Sequence, residues 1–209
     1  MPSSQSRPDD LTPSGPAVAK IALRDQIRTA RHRLSVAELG ELGRGLAAVV
    51  TAHPDVRRAA TVAAYVSTGA EPGTGALLET LAASGKRVIL PALLPDMDLE
   101  WGTWRGERSL EPARFGLLEP VDRLGIGAVA TADVVLVPGL AVSASGARLG
   151  QGGGSYDRAL GRVPVGTPIV CLLYDGEVGL DVPVDDHDRP VTAAATPSRW
   201  HDLRGGVGR

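Results

Sequence analysis

The chain has one cysteine, Cys171. A lone thiol forms no intramolecular disulfide and no cysteine-cluster zinc site, which fits a reducing cytosol. Long apolar runs are also missing. The stretch with least charge, between Arg123 and Arg148, is broken by Asp133, Pro138 and several glycines, whereas a membrane span needs about 20 consecutive apolar residues. Nor is there an excess of basic charge: Lys plus Arg number 22 against 24 Asp plus Glu, a formal net charge of -2, which argues against a protein living on the phosphate backbone of nucleic acid. The four histidines, His32, His53, His187 and His201, have neither paired-ligand spacing nor the HExxH form of a metal helix. There is no Gly-x-Ser-x-Gly elbow of a serine hydrolase, and no Lys-Ser or Lys-Thr follows the glycine cluster as in a P-loop.

Hydrophobic residues at 43% and charged residues at 22% are ordinary globular usage, and the length of 209 suits one domain with a sizeable core. Residues 1–16 are rich in Ser, Pro and Asp, with no basic region leading into an apolar one. They read as a disordered tail and not a signal peptide, leaving residues 17–209 as a single domain expected in the cytoplasm. Over residues 17–34 the apolar positions Ile21, Leu23, Ile27, Ala30 and Leu34 fall mostly on one helical face, with Lys20, Arg24, Arg28 and Arg31 between them, a basic amphipathic helix. Ser35 and Glu38 have capping-box spacing, so a second helix is expected to run to about His53, with Pro54 marking its end. A β-branched run at residues 61–67, helical spacing over 74–83, Gly85 and a second apolar run at 86–90 make a βαβ unit. Residues 99–104 read as an antiparallel excursion, 133–137 and 168–173 as buried strands, and 154–160 as a helix. The alternation predicts an α/β fold: a mostly parallel sheet with helices on both faces.

The richest segment is residues 137–160, VPGLAVSASGARLGQGGGSYDRAL. Gly150, Gly152, Gly153 and Gly154 expose backbone N–H groups ahead of a helix N-terminus, the parts of an anion cradle. Arg148 before it offers a bidentate phosphate donor, and Asp157 after it offers a magnesium ligand. The same residues also suit a flexible surface turn with an ordinary Asp–Arg pair. Glu71 lies just past the first strand's carboxyl end, where open α/β sheets bind ligands, though a solvated loop acid looks the same in sequence. Asp185, Asp186 and Asp188 form an acidic cluster, either a solvated loop or the source of a second magnesium carboxylate.

These residues carry a resemblance. The Arg148-Leu149-Gly150, glycine-rich, Tyr156-Asp157-Arg158 run, with Val-Pro-Gly-Leu-Ala before it, is similar to the signature of the 5-formyltetrahydrofolate cyclo-ligase (methenyltetrahydrofolate synthetase) family. Lys20, Leu23-Arg24 and Leu34-Ser35 look like that family's N-terminal element, and Phe115-Gly116 with Glu119-Pro120 like its middle motif. The resemblance implies ATP- and magnesium-dependent conversion of 5-formyltetrahydrofolate to 5,10-methenyltetrahydrofolate, with small molecules as the only partners and neither nucleic acid nor membrane. It implies that Lys20, Arg24 and Arg148 meet the nucleotide phosphates, with Gly150, Gln151, Gly152, Gly153, Gly154, Ser155 and Tyr156 wrapping the phosphates and the folate edge. Arg148 and Tyr156 are the implied catalytic pair. Val66, Glu71 and Phe115, with Ser155 and Tyr156, are implied at the folate, and Asp157 and Asp188 at magnesium. Ser155 stands where the family usually has a Tyr, Gly153 where some members carry Lys, and Val191-Thr192 where Val-Asp is usual. The alternative is a non-catalytic nucleotide- or folate-binding protein on the same fold.

Overall fold

Along residues 134–137 and 169–172 nearly every side chain is apolar, the pattern of strands covered on both faces. Both become central strands of an eight-stranded sheet in the computed structural model, which describes residues 15–184 and 188–203. In chain order the elements are α1 (Gly15–Arg31), α2 (Val36–Ala52), α3 (Pro54–Arg58), β1 (Thr61–Ala63), α4 (Gly75–Ala83), β2 (Arg87–Leu93), β3 (Leu99–Thr103), β4 (Leu110–Pro112), β5 (Leu118–Pro120), β6 (Arg123–Gly125), β7 (Val134–Pro138), β8 (Ala141–Val142), β9 (Arg148–Leu149), α5 (Ser155–Leu160), β10 (Ile169–Leu172), β11 (Ala193–Ala195) and β12 (Trp200–Asp202). The sheet order is β12-β11-β10-β7-β1-β2-β3-β6. Strands β11, β10, β7, β1 and β2 are parallel, while β12, β3 and β6 join through antiparallel pairing.

The two-residue period of the strands sorts the core into layers. Val62, Leu90, Leu136 and Leu172 face Leu46 and Val50 of α2 and Leu77 and Leu81 of α4. Ala63, Ile89, Val137 and Cys171 face the other way, toward Val129 and toward Ala159 and Leu160 of α5. Each buried Leu, Ile or Val contributes about 1.5–3 kcal/mol by leaving water, so both layers hold the sheet. The helices thus lie on both faces, as the alternation predicts.

The Ser35–Glu38 capping box forms at the start of α2. Pro54 ends α2 and also opens α3, at the first helical position, where its missing N–H has no partner to lose. Strand β1 is shorter than the apolar run at 61–67. After the Ala64 N–H reaches the Ile89 carbonyl, the Thr74 side chain takes over: its hydroxyl donates to the Tyr65 carbonyl at 2.8 Å and accepts from the Ser67 N–H at 2.9 Å. Those bonds lead the chain off the sheet. Residues 1–14 of the expected tail lie outside the described residues, and α1 already begins at Gly15.

The apolar periodicity of α1 does not mark the face that is buried. Ile21 is 51% exposed, whereas Lys20 and Arg31 are 7% and 4% exposed. Only Ile27, with Leu23 beside it, packs on Leu140, Ala141 and Leu149 around the β8–β9 hairpin. The basic stripe faces the protein instead, because each cation finds an oxygen there. Lys20 pairs with Asp188 at 2.7 Å, Arg24 Nε donates to the Gly150 carbonyl at 2.9 Å, and Arg28 donates to the Gln151 side chain at 2.5 Å. Arg31 donates from Nε and Nη2 to the two Glu177 oxygens, both at 2.7 Å, and from Nη2 to the Gly139 carbonyl at 2.8 Å. The Glu177 carboxylate also accepts the Tyr174 N–H.

Removing one partner of a buried, hydrogen-bonded ion pair leaves the other charge stranded. Arg31→Met is therefore expected to lower stability by about 3–5 kcal/mol, read as a shift in the urea midpoint, and Glu177→Leu in the same chain should recover part of it. A midpoint unchanged by Arg31→Met would show that this pair does not hold α1.

Candidate functional site

From β1 the chain proceeds to β2 on one side, and from β7 to β10 on the other, although β1 and β7 are neighbours. The crevice beyond the carboxyl ends of such a strand pair is where open α/β sheets take ligands. A cavity of about 410 Å³ lies there, lined by Tyr65 and Val66 after β1, by Pro138 at the end of β7 and Gly139 beyond it, and by the glycine loop. A smaller pocket of about 160 Å³ adjoins it and shares Thr68, Glu71 and Gln151.

One wall is polar. The β8–β9 hairpin pairs Val142 with Arg148, which presents the Arg148 side chain, 4% exposed, to the cavity. Its Nη2 donates to Asp157 Oδ1 at 3.0 Å and its Nη1 to the Pro138 carbonyl at 3.2 Å, while its buried Nε has no partner among the described residues. The guanidinium sits 5.6 Å from the Tyr156 ring centre. Gly152 and Gly154 have φ of 104° and 68°, the left-handed region that side chains disfavour, so these two glycines let the loop curl around the cavity. Helix α5 is only six residues long. Its dipole adds less than the sequence pattern suggests, and the polar character of this wall comes mainly from α1 and Arg148.

The apolar part of the lining comes from Val66, Pro91, Leu93, Leu99 and Leu117. Glu71 also lines the cavity, its Oε2 accepting from the Thr68 N–H at 2.9 Å and the Thr68 hydroxyl at 3.3 Å. The Tyr174 hydroxyl, whose pKa burial pushes up to about 12, donates to the Glu71 carbonyl at 3.2 Å and so fixes this loop. Burial also raises the Tyr156 hydroxyl far above its ordinary range. Tyr156 therefore keeps its proton and acts as a donor or as a ring, not as a base. Cys171 beneath the site is pushed up to about 12 by burial, so its thiol is not an activated nucleophile.

Every site residue chosen from sequence lines the cavity except Phe115. The Phe115 ring is 71% exposed, because Phe115 (φ 60°) and Gly116 (φ 72°) form a tight left-handed turn that carries it outward under the Arg114 guanidinium. Leu117 and Leu118 turn into the cavity instead. Glu119 of the same segment also lines the cavity and accepts from the Leu93 N–H and from Arg123. Tyr65 was missed: the sequence reading took Val66 and Glu71 from this loop, although Tyr65 lies at the same carboxyl strand end.

Asp157 and Asp188 belong to the polar wall. Asp157 Oδ1 also accepts the Arg189 N–H at 3.3 Å, which brings the 188–189 segment against the start of α5. No group of three or more metal-ligating side chains occurs among the described residues. Two carboxylates fit magnesium when phosphate oxygens and waters complete the octahedron. Asp185 and Asp186 lie outside the described residues. No helix among the described residues is long and apolar enough to cross a membrane.

The model of the 5-formyltetrahydrofolate cyclo-ligase family matches residues 16–197. The chain is 43% identical to the 5-formyltetrahydrofolate cyclo-ligase of Mycolicibacterium smegmatis over 145 residues, covering 66% of this chain and 74% of that one. It is 34% identical to the Escherichia coli K12 protein of the same name over 182 residues, covering 83% and 97%. Among solved structures, the NMR structure of Aquifex aeolicus 5,10-methenyltetrahydrofolate synthetase superposes with a TM-score of 0.77 at 28% identity, covering 91% of this chain and 95% of that one. A match that runs from α1 through the glycine loop to β11 takes in both the polar and the apolar lining of the cavity, and the chain belongs to the 5-formyltetrahydrofolate cyclo-ligase family.

Proposed function

We propose that the chain uses ATP and magnesium to convert 5-formyltetrahydrofolate to 5,10-methenyltetrahydrofolate, with release of ADP and phosphate. The observation that carries the reading is a single cavity lined both by cations and glycine backbone and by aliphatic side chains and Glu71. Such a cavity suits a triphosphate facing a flat heterocycle.

The formyl oxygen is a poor leaving group. Its attack on the γ-phosphorus breaks the bond to the bridging oxygen, ADP leaves with that electron pair, and a phosphate ester forms on the carbon of an N5 iminium. N10 adds to this carbon and loses its proton. Phosphate then leaves with the former formyl oxygen, and the methenyl bridge remains. No covalent enzyme intermediate is needed, so positioning and charge neutralisation carry the catalysis.

In this reading Lys20, Arg24 and Arg148 neutralise phosphate charge, and the backbone of Gly150, Gln151, Gly152, Gly153 and Gly154 lines the phosphates. Ser155 and Tyr156 sit between nucleotide and folate, while Val66 and Glu71 hold the pterin. Arg148 and Tyr156 act on the transferring group as fixed donors. Asp157 and Asp188 hold magnesium, which when bound neutralises and orients the triphosphate. The cytoplasm, where both small-molecule substrates occur, is the proposed setting.

Purified protein is expected to consume ATP only when 5-formyltetrahydrofolate and magnesium are both present, with the near-ultraviolet absorbance of the methenyl product rising in step. ATP loss without folate, or binding without product, contradicts the proposal. Arg148→Ala should lower kcat about a hundredfold or more, and Arg148→Lys should restore little because it lacks the planar fork; a folded Arg148→Ala enzyme within a few-fold of wild type would remove Arg148 from the phosphate site. Asp157→Asn and Asp188→Asn should each raise the magnesium midpoint, and the double variant should fall short of the product of the two effects, since they meet one ion. A magnesium titration that gives unchanged midpoints would remove both from the metal.

A further inference from the structure

Tyr65 is 3% exposed, lies just beyond β1 and lines the cavity, yet its hydroxyl has no hydrogen-bond partner among the described residues. Buried hydroxyls are nearly always paired, and phenylalanine would fill the same space with no polar atom to satisfy. The backbone around it is held firmly. The Thr74 hydroxyl donates to the Tyr65 carbonyl at 2.8 Å, and Ser67 exchanges hydrogen bonds with Thr74 through its N–H and its hydroxyl. Burial raises the Tyr65 pKa well above the ordinary phenol value, with Glu71, Cys171 and Tyr156 adding to the rise through space and Arg31 opposing it. The hydroxyl keeps its proton and is a donor without an acceptor.

We infer that the Tyr65 hydroxyl is a substrate-binding group, donating a hydrogen bond to an oxygen or nitrogen acceptor on the ring system of the reduced folate, in the half of the cavity bounded by Val66 and Glu71. The inference rests on the proposed function for the identity of the ligand. It adds a donor that the family resemblance did not assign, and it gives that wall of the cavity a means of telling a heterocycle with an acceptor from an apolar ring of equal size. A site whose buried donor is left unpaired by a wrong ligand rejects that ligand more strongly than an apolar site does.

Tyr65→Phe removes one oxygen and keeps the ring. Binding of 5-formyltetrahydrofolate, measured calorimetrically without ATP, is expected to weaken about tenfold in Tyr65→Phe, a typical effect for one hydrogen bond in a dry site. The Kd for ATP should not change, and the Tm of the ligand-free protein should be equal or higher, since an unsatisfied hydroxyl has been removed. The rise in Tm on adding the folate should shrink accordingly. A Tyr65→Phe protein that binds the folate as wild type does overturns the inference, as does one whose ligand-free Tm falls by several degrees with folate binding unchanged, which is the mark of a structural hydroxyl. Wild type that binds the folate without making product contradicts the proposed reaction but leaves this inference standing if Tyr65→Phe binds more weakly. Wild type that binds no folate overturns both.

Discussion

The buried pair between Arg31 and Glu177 is the interaction on which the rest of the site depends. Helix α1 buries few of its apolar side chains: of its 17 residues, Ile27 is the buried hydrophobic one and Leu23 packs beside it. Arg31 meets Glu177 through two parallel hydrogen bonds, reaches the Gly139 carbonyl, and lies over the Tyr174 ring. The Glu177 carboxylate also holds the Tyr174 N–H, and the Tyr174 hydroxyl holds the Glu71 carbonyl. One connected network therefore joins α1, the ends of β7 and β10, and the loop after β1. Three of those pieces, α1, the end of β7 and the loop after β1, line the cavity.

Fixing the last turn of α1 sets where the earlier turns fall. Arg28, Arg24 and Lys20 lie back along the same stripe and end on Gln151, the Gly150 carbonyl and Asp188. These cations are matched by loop oxygens, which limits the cost of burying charge. In the proposed reaction a polyphosphate would offer stronger acceptors to the same groups. The stripe is thus both the seat of the helix and the charged wall of the site.

The sheet was legible in the sequence because its central strands are continuously apolar and its helices carry caps and turn signals, as at Ser35, Pro54 and Gly85. The end of β1 was not, since Thr74, distant by several residues, takes the hydrogen bonds that a strand would have used. The buried face of α1 was not legible for a related reason. Hydrophobic periodicity marks what leaves water by transfer alone, and here charged side chains are buried because partners distant in sequence, Glu177 and Asp188, await them. Arg148, the glycines and Asp157 were legible as a local cluster. Phe115 was placed at the folate by resemblance, and its local backbone turns it outward. Tyr65 escaped notice because nothing in a sequence says that a hydroxyl has no partner.

The proposed reaction requires a nucleotide and a folate ring to share the crevice at the carboxyl ends of β1 and β7, and it stands on phosphoryl transfer between them. Carrying ¹⁸O in the formyl group of 5-formyltetrahydrofolate and weighing the inorganic phosphate after turnover tests that transfer directly. The account predicts one ¹⁸O in each phosphate released. Unlabelled phosphate, formed while methenyl product accumulates, would contradict it.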